Sequence, residues 1–377
     1  MTGNTTMIRP RPQVPRTEAY GVLARHLGAT GLDADLRAVL DAIGAAVRGS
    51  PLAVPPAMAE VLSGGKRLRP LFVLATAWAG RTGAARLRER AVGGACAVEL
   101  LHLASLVHDD LMDDAATRHG VATISARAGA GRALLAGDVL LGHAYTAAAG
   151  LGADAAALVG RTLVRLCEGQ AEEAGHLFDA DRSAHSYFSA IAGKTGALIE
   201  ASCRMGALAA GYDAATGAAL GRFGHHLGIA YQLLDDLTDL TEDSAALGKP
   251  TGHDLAEGVY TYPTIWALHH DPGLRPLLLD LARHDGPRAG PAAAAADRVR
   301  ASGRSTRPGR RSPVSGAAAW TRWPSRATGS ARGAWTCWRS WPSRPWTAAS
   351  ATTRTRRPGT RRSSPARRRS SRSRPGC

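Results

Sequence analysis

Apolar residues recur three and four positions apart from residue 17 to residue 283, and this spacing most constrains how the chain can fold. The segment 95–107 is apolar on nearly all sides, which predicts a helix buried at the centre of the molecule. Short glycine-containing breaks separate the periodic segments, and no strand-like alternation persists between them. The pattern predicts an all-α fold, a single large helical bundle. One amphipathic stripe is formed by Leu36, Val39, Leu40, Ile43 and Val47.

The excess of basic over acidic residues lies entirely in the last 77 residues of the chain. The 377 residues include 47 Lys and Arg against 31 Asp and Glu, a net charge of +16. Residues 301–377 hold 19 Arg and no Lys, Asp or Glu, so residues 1–300 carry a net charge of −3. The composition changes after about His284, where Ala, Pro, Arg, Ser and Gly show no periodic apolar face. A basic, disordered tail is predicted for residues 301–377.

The tryptophans of this tail suggest an altered reading frame. Six of the eight tryptophans lie there, and tryptophan has the single codon TGG. If the frame is shifted by one base, so that each codon starts one base earlier, TGG becomes NTG followed by G, and NTG encodes Leu, Val or Met. In that frame, residues 335–341 can encode an amphipathic helix. We infer a frameshift near Ser302–Gly303, which would remove the last helices of the native bundle. The alternative is a genuine arginine-rich tail that binds RNA.

The remaining composition predicts a cytoplasmic protein. Residues 1–16 contain Pro and Arg but no apolar core of a signal sequence, which predicts a disordered lead-in. No apolar run reaches 18 residues, so no transmembrane segment is expected. The five cysteines show no CxxC spacing, which favours a reducing compartment. Residues 17–300 are then the folded domain.

Two aspartate clusters carry the strongest chemical signal. Asp109, Asp110 and Asp113 form one DDxxD motif, and Asp235, Asp236 and Asp239 form a second. On a helix the first and fifth positions share a face, where like charges repel unless a cation compensates them. Oxygen ligands favour Mg²⁺, which substrate phosphate oxygens commonly complete. A solvated acidic helix face is the alternative for either motif alone, but the pair indicates a diphosphate substrate.

Basic residues suited to phosphate accompany these motifs. Lys66 and Arg69 lie in the segment GGKRLRP, where a surface helix start is the alternative interpretation. Arg118 follows Asp113 by five residues, within reach of the same site. His102 precedes Asp109 by two helical turns and shares its face, although a core histidine is equally compatible with this spacing. No P-loop motif is present in the sequence.

These segments together resemble the trans-isoprenyl diphosphate synthases of the polyprenyl synthetase family. The resemblance covers about residues 20–285, in order through GGKRLRP, ELLHLASLVHDDLMDD, LAGDVLL, LCEGQAEE, GKTGALIE, YQLLDDLTD and LGKPTGHDLAEG. It implies a helical bundle of the isoprenoid synthase type around a central cavity, usually a homodimer. It implies Mg²⁺ as the cofactor and isopentenyl diphosphate plus an allylic diphosphate as substrates, with no nucleic-acid partner.

The resemblance also implies roles for individual residues. Catalytic roles fall on Asp109, Asp110, Asp113, Asp235, Asp236 and Lys194, and metal ligation on Asp109, Asp113, Asp235 and Asp239. Substrate-binding roles fall on Lys66, Arg69 and His102 for isopentenyl diphosphate, and on Arg118, His119, Thr195, Gln232 and Lys249 for the allylic substrate.

Three positions depart from the family pattern. His119 replaces the second of two arginines, Ala122 replaces a proline and Val259 replaces a lysine. Each lost cation should weaken phosphate binding, since a charged contact contributes about 1.5–3 kcal/mol. The small residues Ala104 and Ser105 before the first motif favour geranylgeranyl diphosphate or a longer product.

Three alternative functions remain. A class I terpene cyclase shares the fold but usually lacks the second DDxxD motif and GGKRxRP. A regulatory subunit of a heteromeric synthase tends to lose one aspartate motif, and both motifs are present here. RNA binding would depend on the tail alone.

Overall fold

Helices account for most of the chain that the computed structural model describes. The described residues are 20–21, 24, 29–48, 65–79, 85–118, 120–241, 252–284, 286 and 288–305, and all belong to one compact unit. The helices are α1 (Ala29–Arg48), α2 (Leu68–Trp78), α3 (Ala85–Met112), α4 (Ile124–Ala128), α5 (Ala130–Ala149), α6 (Ala153–Ala174), α7 (Ala184–Ile191), a π-helical turn (Ala192–Gly196), α8 (Ala197–Ala210), α9 (Ala214–Thr241), α10 (His253–Ala256), α11 (Tyr262–His270), α12 (Leu274–Ala282) and α13 (Ala289–Ser305). The all-α prediction is confirmed.

Helix α3 is the centre of the bundle, as its composition predicts. It packs against α1, α2, α5, α6 and α8. Residues along its second half, including Ala97, Leu101 and Ala104, have no exposed surface. The five residues of the α1 stripe are likewise all buried. Burial on most sides of α3 explains why it is apolar all round rather than amphipathic.

Helix α3 also passes a simple test for a membrane span. Among the described helices it is the one whose length and mean hydropathy, 1.4 over 18 residues, would suffice to cross a membrane. However, 67% of that window is buried inside the bundle, as in a core helix. Alanines and glycines contribute much of this length, so the segment is apolar without a long run of large side chains.

A two-stranded hairpin follows α3. Strand β1 (Thr117–Arg118) pairs antiparallel with β2 (Val121–Ala122). Thr123 then caps α4, and its hydroxyl oxygen accepts a hydrogen bond from the Ala126 N–H at 3.2 Å. This short hairpin turns the chain back beside the end of α3 and so places Arg118 next to the first aspartate motif.

The prediction that periodicity is lost after His284 is wrong for residues 289–305, which form α13. Ala292, Ala295, Ala296 and Val299 are buried and share one face of this helix. That face packs on α10, α11 and α12. Alanine is so small that the stripe is hard to recognise as a core face, yet it allows close helix packing. The lead-in 1–16 and the tail beyond 305 lie outside the described residues.

Candidate active site

The first aspartate motif lies at the C-terminal end of α3. Asp109 is half-buried in the last turn, and Asp113 is exposed in the turn that follows. Burial raises the pKa of Asp109, while Lys194 and Arg118 act in the opposite direction. Partial burial of the carboxyl group also raises the pKa of Asp113; Lys194 opposes this shift, and Glu257 and Glu173 add repulsion. These carboxylates therefore stand in a crowded acidic environment that a cation would relieve.

Asp110 points to a different partner. Its carboxylate accepts a hydrogen bond from the Arg118 Nε at 2.7 Å, and it is almost fully buried. The hairpin thus connects to the aspartate motif through a salt bridge. His119, the next residue, lies outside the described residues.

The second aspartate motif lies near the end of α9. The carboxylate of Asp236 accepts hydrogen bonds from the Tyr187 hydroxyl and, at 2.9 Å, from the Gln232 side-chain amide. Burial raises the pKa of Asp236 to about 8, and repulsion from Asp254 contributes. Asp235 is exposed on the adjacent side of the helix.

Asp239, the last residue of this motif, contacts the next helical segment. Its carboxylate accepts a hydrogen bond from the Asp254 N–H at 3.4 Å, and its carbonyl accepts one from the Gly252 N–H at 3.3 Å. Asp239 is 3% exposed. It therefore helps to fix α10 against the end of α9. Lys249 lies outside the described residues.

The π-helical turn supplies a cation, Lys194, that lines the same cavity as Asp113 and Asp236. The Lys194 ammonium pairs with Glu173 on α6, and the Thr195 hydroxyl donates to the Gln232 side-chain oxygen at 2.8 Å. The turn lies directly on α6, where a Cβ at Gly169 would come within 2.7 Å of the Lys194 backbone nitrogen. Such turns widen the helix by one residue and are frequent at functional sites.

These elements surround one cavity of about 560 Å³. Asp113 from the first motif and Asp236 from the second both line it, together with Lys194, Thr195 and Gln232. Its wall also has an apolar part, formed by Met112, Leu177, Ile191 and Val259. The two motifs, 126 residues apart when measured from Asp109 to Asp235, therefore meet as the sequence predicts.

The basic group predicted for the second substrate lies outside the lining of this cavity. Lys66 is exposed, and Arg69 carries a buried Nε without a hydrogen-bond partner among the described residues. Burial lowers the pKa of Arg69. The pKa of His102 is lowered well below its usual range by burial and by the cations Arg69, Arg67 and Arg118. His102 is therefore a neutral imidazole among arginines.

Several residues of the site are absent from the sequence prediction. Glu99, which is buried, pairs with Arg67 at 2.5 Å and lies behind the basic group. Glu173, Asp254 and Glu257 add carboxylates to the cavity. Tyr187 is 49 residues from Asp236 in sequence, so no local spacing could connect them. Glu173 could have been found, because Gln170 and Glu173 share one face of a periodic helix.

The donor set fits a divalent cation bound jointly with substrate. Carboxylate oxygens are hard ligands, and the raised pKa values of Asp109, Asp113 and Asp236 reflect desolvated, mutually repelling groups. No group of three Asp, Glu, His or Cys side chains within the described ranges is already arranged to hold a metal ion. Such an ion would need further oxygen ligands, which phosphate groups and water can supply.

Comparisons with known proteins agree with this geometry. The family model "Polyprenyl synthetase" matches residues 53–296. The chain is 39% identical over 239 residues to heptaprenyl diphosphate synthase component 2 of Geobacillus stearothermophilus, covering 63% of this chain and 73% of that protein. It is 41% identical over 178 residues to the geranylgeranyl diphosphate synthase of Mycobacterium tuberculosis, covering 46% of this chain and 51% of that protein.

A solved structure extends the similarity to the fold. The polyprenyl synthase of Caulobacter crescentus CB15, complexed with calcium and isoprenyl diphosphate, superposes with a TM-score of 0.63 at 26% identity. The alignment covers 87% of this chain and 97% of that one. The matched family region contains both aspartate motifs, the π-helical turn and the cavity between them. The chain belongs to the polyprenyl synthetase family and is a trans-prenyltransferase of the isoprenyl diphosphate synthase type.

Proposed function

We propose that this chain condenses isopentenyl diphosphate with an allylic diphosphate, in the presence of Mg²⁺, to make geranylgeranyl diphosphate or a longer trans-polyprenyl diphosphate. The observation that carries the proposal is the joint lining of one cavity by Asp113, Asp236 and Lys194. A site with carboxylates on two walls and a cation between them suits a diphosphate bound together with metal. The solved relative complexed with calcium and isoprenyl diphosphate supports this interpretation.

The allylic diphosphate is proposed to bind between the two motifs. Asp109, Asp113, Asp235, Asp236 and Asp239 are the proposed metal-binding and catalytic carboxylates. Bound Mg²⁺ would add positive charge that stabilises the leaving diphosphate. Lys194 and Arg118 orient its oxygens, while Thr195 and Gln232 form the polar wall beside them. His119 and Lys249 are proposed further contacts of this diphosphate.

The apolar wall is proposed to protect the reactive intermediate. When the bond between the allylic carbon and the diphosphate oxygen breaks, the electron pair leaves with the diphosphate and an allylic cation remains. Met112, Ile191 and Val259 line this side of the cavity and limit the access of water to the cation. The double bond of isopentenyl diphosphate then attacks, and the departing diphosphate accepts the proton that is lost.

Isopentenyl diphosphate is proposed to bind at the basic group of Lys66, Arg69 and His102. The neutral His102 imidazole can donate one hydrogen bond to a phosphate oxygen without repelling the neighbouring arginines. The buried pair of Arg67 and Glu99 holds the start of α2 beside it. This pair supports the position of Arg69 two residues further along the chain.

The decisive experiment is a product assay. The chain is incubated with isopentenyl diphosphate and each allylic primer, with Mg²⁺ or with EDTA, and the products are sized. Elongated linear diphosphates formed only with Mg²⁺ would support the proposal. Cyclic hydrocarbons would instead identify a terpene cyclase, and inactivity that a partner protein reverses would identify a subunit of a heteromeric synthase.

The product length is proposed from the small residues before the first motif. Ala104 is fully buried in the core and Ser105 is half-buried, and neither lines the cavity between the motifs. Replacing Ala104 or Ser105 with Phe should shorten the product if the growing chain passes this part of α3. Unchanged products from both folded variants would remove the argument for a long product.

The assembly state is proposed to be a homodimer. One relative is named as component 2 of a synthase, which makes a hetero-oligomer the alternative. Light scattering of the purified chain distinguishes a dimer from a monomer that needs a second protein. A cytoplasmic location is proposed as well, since Cys96, Cys167 and Cys203 are free thiols.

The tail, residues 301–377, is proposed to be out of frame. Sequencing of the gene around codons 302–303 tests this directly. A frame-corrected chain, assayed beside the present one, should gain stability if native helices are restored. An intact frame in the gene would support a genuine arginine-rich tail instead.

A further inference from the structure

Arg182, in the loop before α7, is a buried cation with unusually few partners. It is 3% exposed, and its Nη1 donates to the Tyr260 carbonyl at 3.3 Å. Its Nε and Nη2 are buried and have no hydrogen-bond partner within the described part of the chain. Burying an ionised group with unsatisfied donors destabilises a fold unless another interaction compensates. The position therefore calls for a compensating negative charge.

That negative charge is the acidic cavity. The Arg182 guanidinium lies 5.8 Å from the centre of the Tyr187 ring, and the Tyr187 hydroxyl donates to Asp236. Tyr187 and Asp236 both line the cavity, so Arg182 stands directly behind its wall. Burial lowers the pKa of Arg182, and the carboxylates of Glu173 and Glu172 are close enough to oppose that shift and favour its charged form. No described salt bridge ties Arg182 to any one of these carboxylates.

We propose that Arg182 is a specificity-determining counter-charge, which weakens the binding of bare divalent cations in the acidic cavity and strengthens the binding of diphosphate. A fixed positive charge behind the wall repels a free cation and attracts an anion. The cavity therefore binds a metal ion together with a diphosphate in preference to a metal ion alone. This inference rests on the proposed function, whose site it refines.

The test uses opposite signs in two binding measurements. Isothermal titration calorimetry on the full chain measures calcium alone and inorganic diphosphate alone, neither of which requires turnover. Arg182→Met should bind calcium roughly tenfold more tightly and diphosphate roughly tenfold more weakly than the unaltered chain. Arg182→Lys, which keeps the charge, should stay close to the unaltered chain in both measurements.

A matched control, Arg275 in the first turn of α12, contacts the same loop as Arg182. Arg275 pairs with Asp181 and donates to the Ala180 carbonyl at the surface. Arg275→Met should change neither affinity. If Arg182→Met does not fold, Arg182→Gln replaces it with the same expected signs.

Other outcomes would overturn the proposal. Structural damage would weaken both ligands together, and a role limited to packing would leave both unchanged. An equal response of Arg275→Met would attribute the effect to the loop.

The same measurements separate this inference from the proposed function. Opposite shifts in the two affinities, in a chain that shows no turnover, would support the role of Arg182 and reject the proposed reaction. Turnover without opposite shifts would support the proposed reaction and reject the role of Arg182. Failure of the unaltered chain to bind either ligand would reject both proposals.

Discussion

The two aspartate motifs share the DDxxD sequence pattern but have different surroundings. In the first motif, at the end of α3, Asp113 faces the cavity while Asp110 pairs with Arg118. In the second motif, on α9, Asp236 faces the cavity and is bonded to Tyr187 and Gln232. The middle aspartate is thus a salt-bridge partner in one motif and a buried cavity carboxylate in the other.

The difference shows that a motif fixes the spacing of its aspartates in the sequence but not the direction in which each side chain points. Helix α3 ends within its motif, so Asp113 lies in a turn beyond the helix. Helix α9 continues to Thr241, and its motif is held from one side by α7 and from the other by the start of α10. Which carboxylate enters the cavity therefore depends on the elements packed around each motif.

The largest effect is expected from Asp236→Asn. Asparagine has the same shape and can still accept the Tyr187 hydrogen bond, so the fold should persist while a proposed metal ligand that can ionise is lost. Loss of one pre-positioned electrostatic group typically costs about 10²- to 10³-fold in kcat. The measurement is steady-state kinetics with an allylic primer. Asp235→Asn, which removes the exposed proposed ligand that does not line the cavity, is the comparison and should cost less. A larger loss for Asp235→Asn would reverse the assignment of the cavity-facing carboxylate.

A smaller effect is expected from Asp110→Ala in the first motif. This change leaves Arg118 without its buried carboxylate and removes a charged hydrogen bond, which should destabilise the fold by about 1.5–3 kcal/mol. Urea unfolding measures this cost, and kinetics should show a smaller fall in kcat than for Asp236→Asn. If Asp110→Ala instead abolished activity at unchanged stability, the two middle aspartates would be equivalent after all.

The pH dependence of stability tests the buried carboxyl of the second motif. Because burial raises the pKa of Asp236 from 3.8 to about 8, the folded chain retains a proton that the unfolded chain releases. The corresponding stability is complete below about pH 4 and is lost as the pH rises through about 8.

Between about pH 6 and pH 8 the unfolding free energy should fall by about 2 kcal/mol from this residue alone. Urea unfolding in EDTA at both pH values measures it. Asp236→Asn should remove this part of the slope, whereas Asp110→Ala should keep it. A slope unaffected by Asp236→Asn would mean that the carboxylate is ionised in the folded chain.

Much of this arrangement could be predicted from the sequence. The periodic apolar stripe of α1 and the all-round apolar α3 specify buried helices, and the two motifs specify a shared acidic cavity. Spacing alone could not show that Asp110 turns to Arg118, because the intervening hairpin determines that contact. Nor could it reveal Tyr187 or Arg182, which reach the site only through tertiary packing. Helix α13 was missed because alanine provides a packing face with little apolar contrast.

The smallest effect is expected from Arg300→Met on α13. The Arg300 guanidinium donates to the Leu240 carbonyl at 2.7 Å, beside Asp239 at the end of the second motif. Since the side chain is 25% exposed, its loss should lower the unfolding free energy by only about 1 kcal/mol. The first motif lies on α3, which has no comparable contact with α13 among those described.

Arg300→Met should therefore slightly raise the Mg²⁺ concentration needed for half-maximal rate. The control is Arg298→Met, which breaks the surface pair with Asp271. Equal effects of the two variants would show that α13 supports the bundle as a whole rather than the second motif in particular.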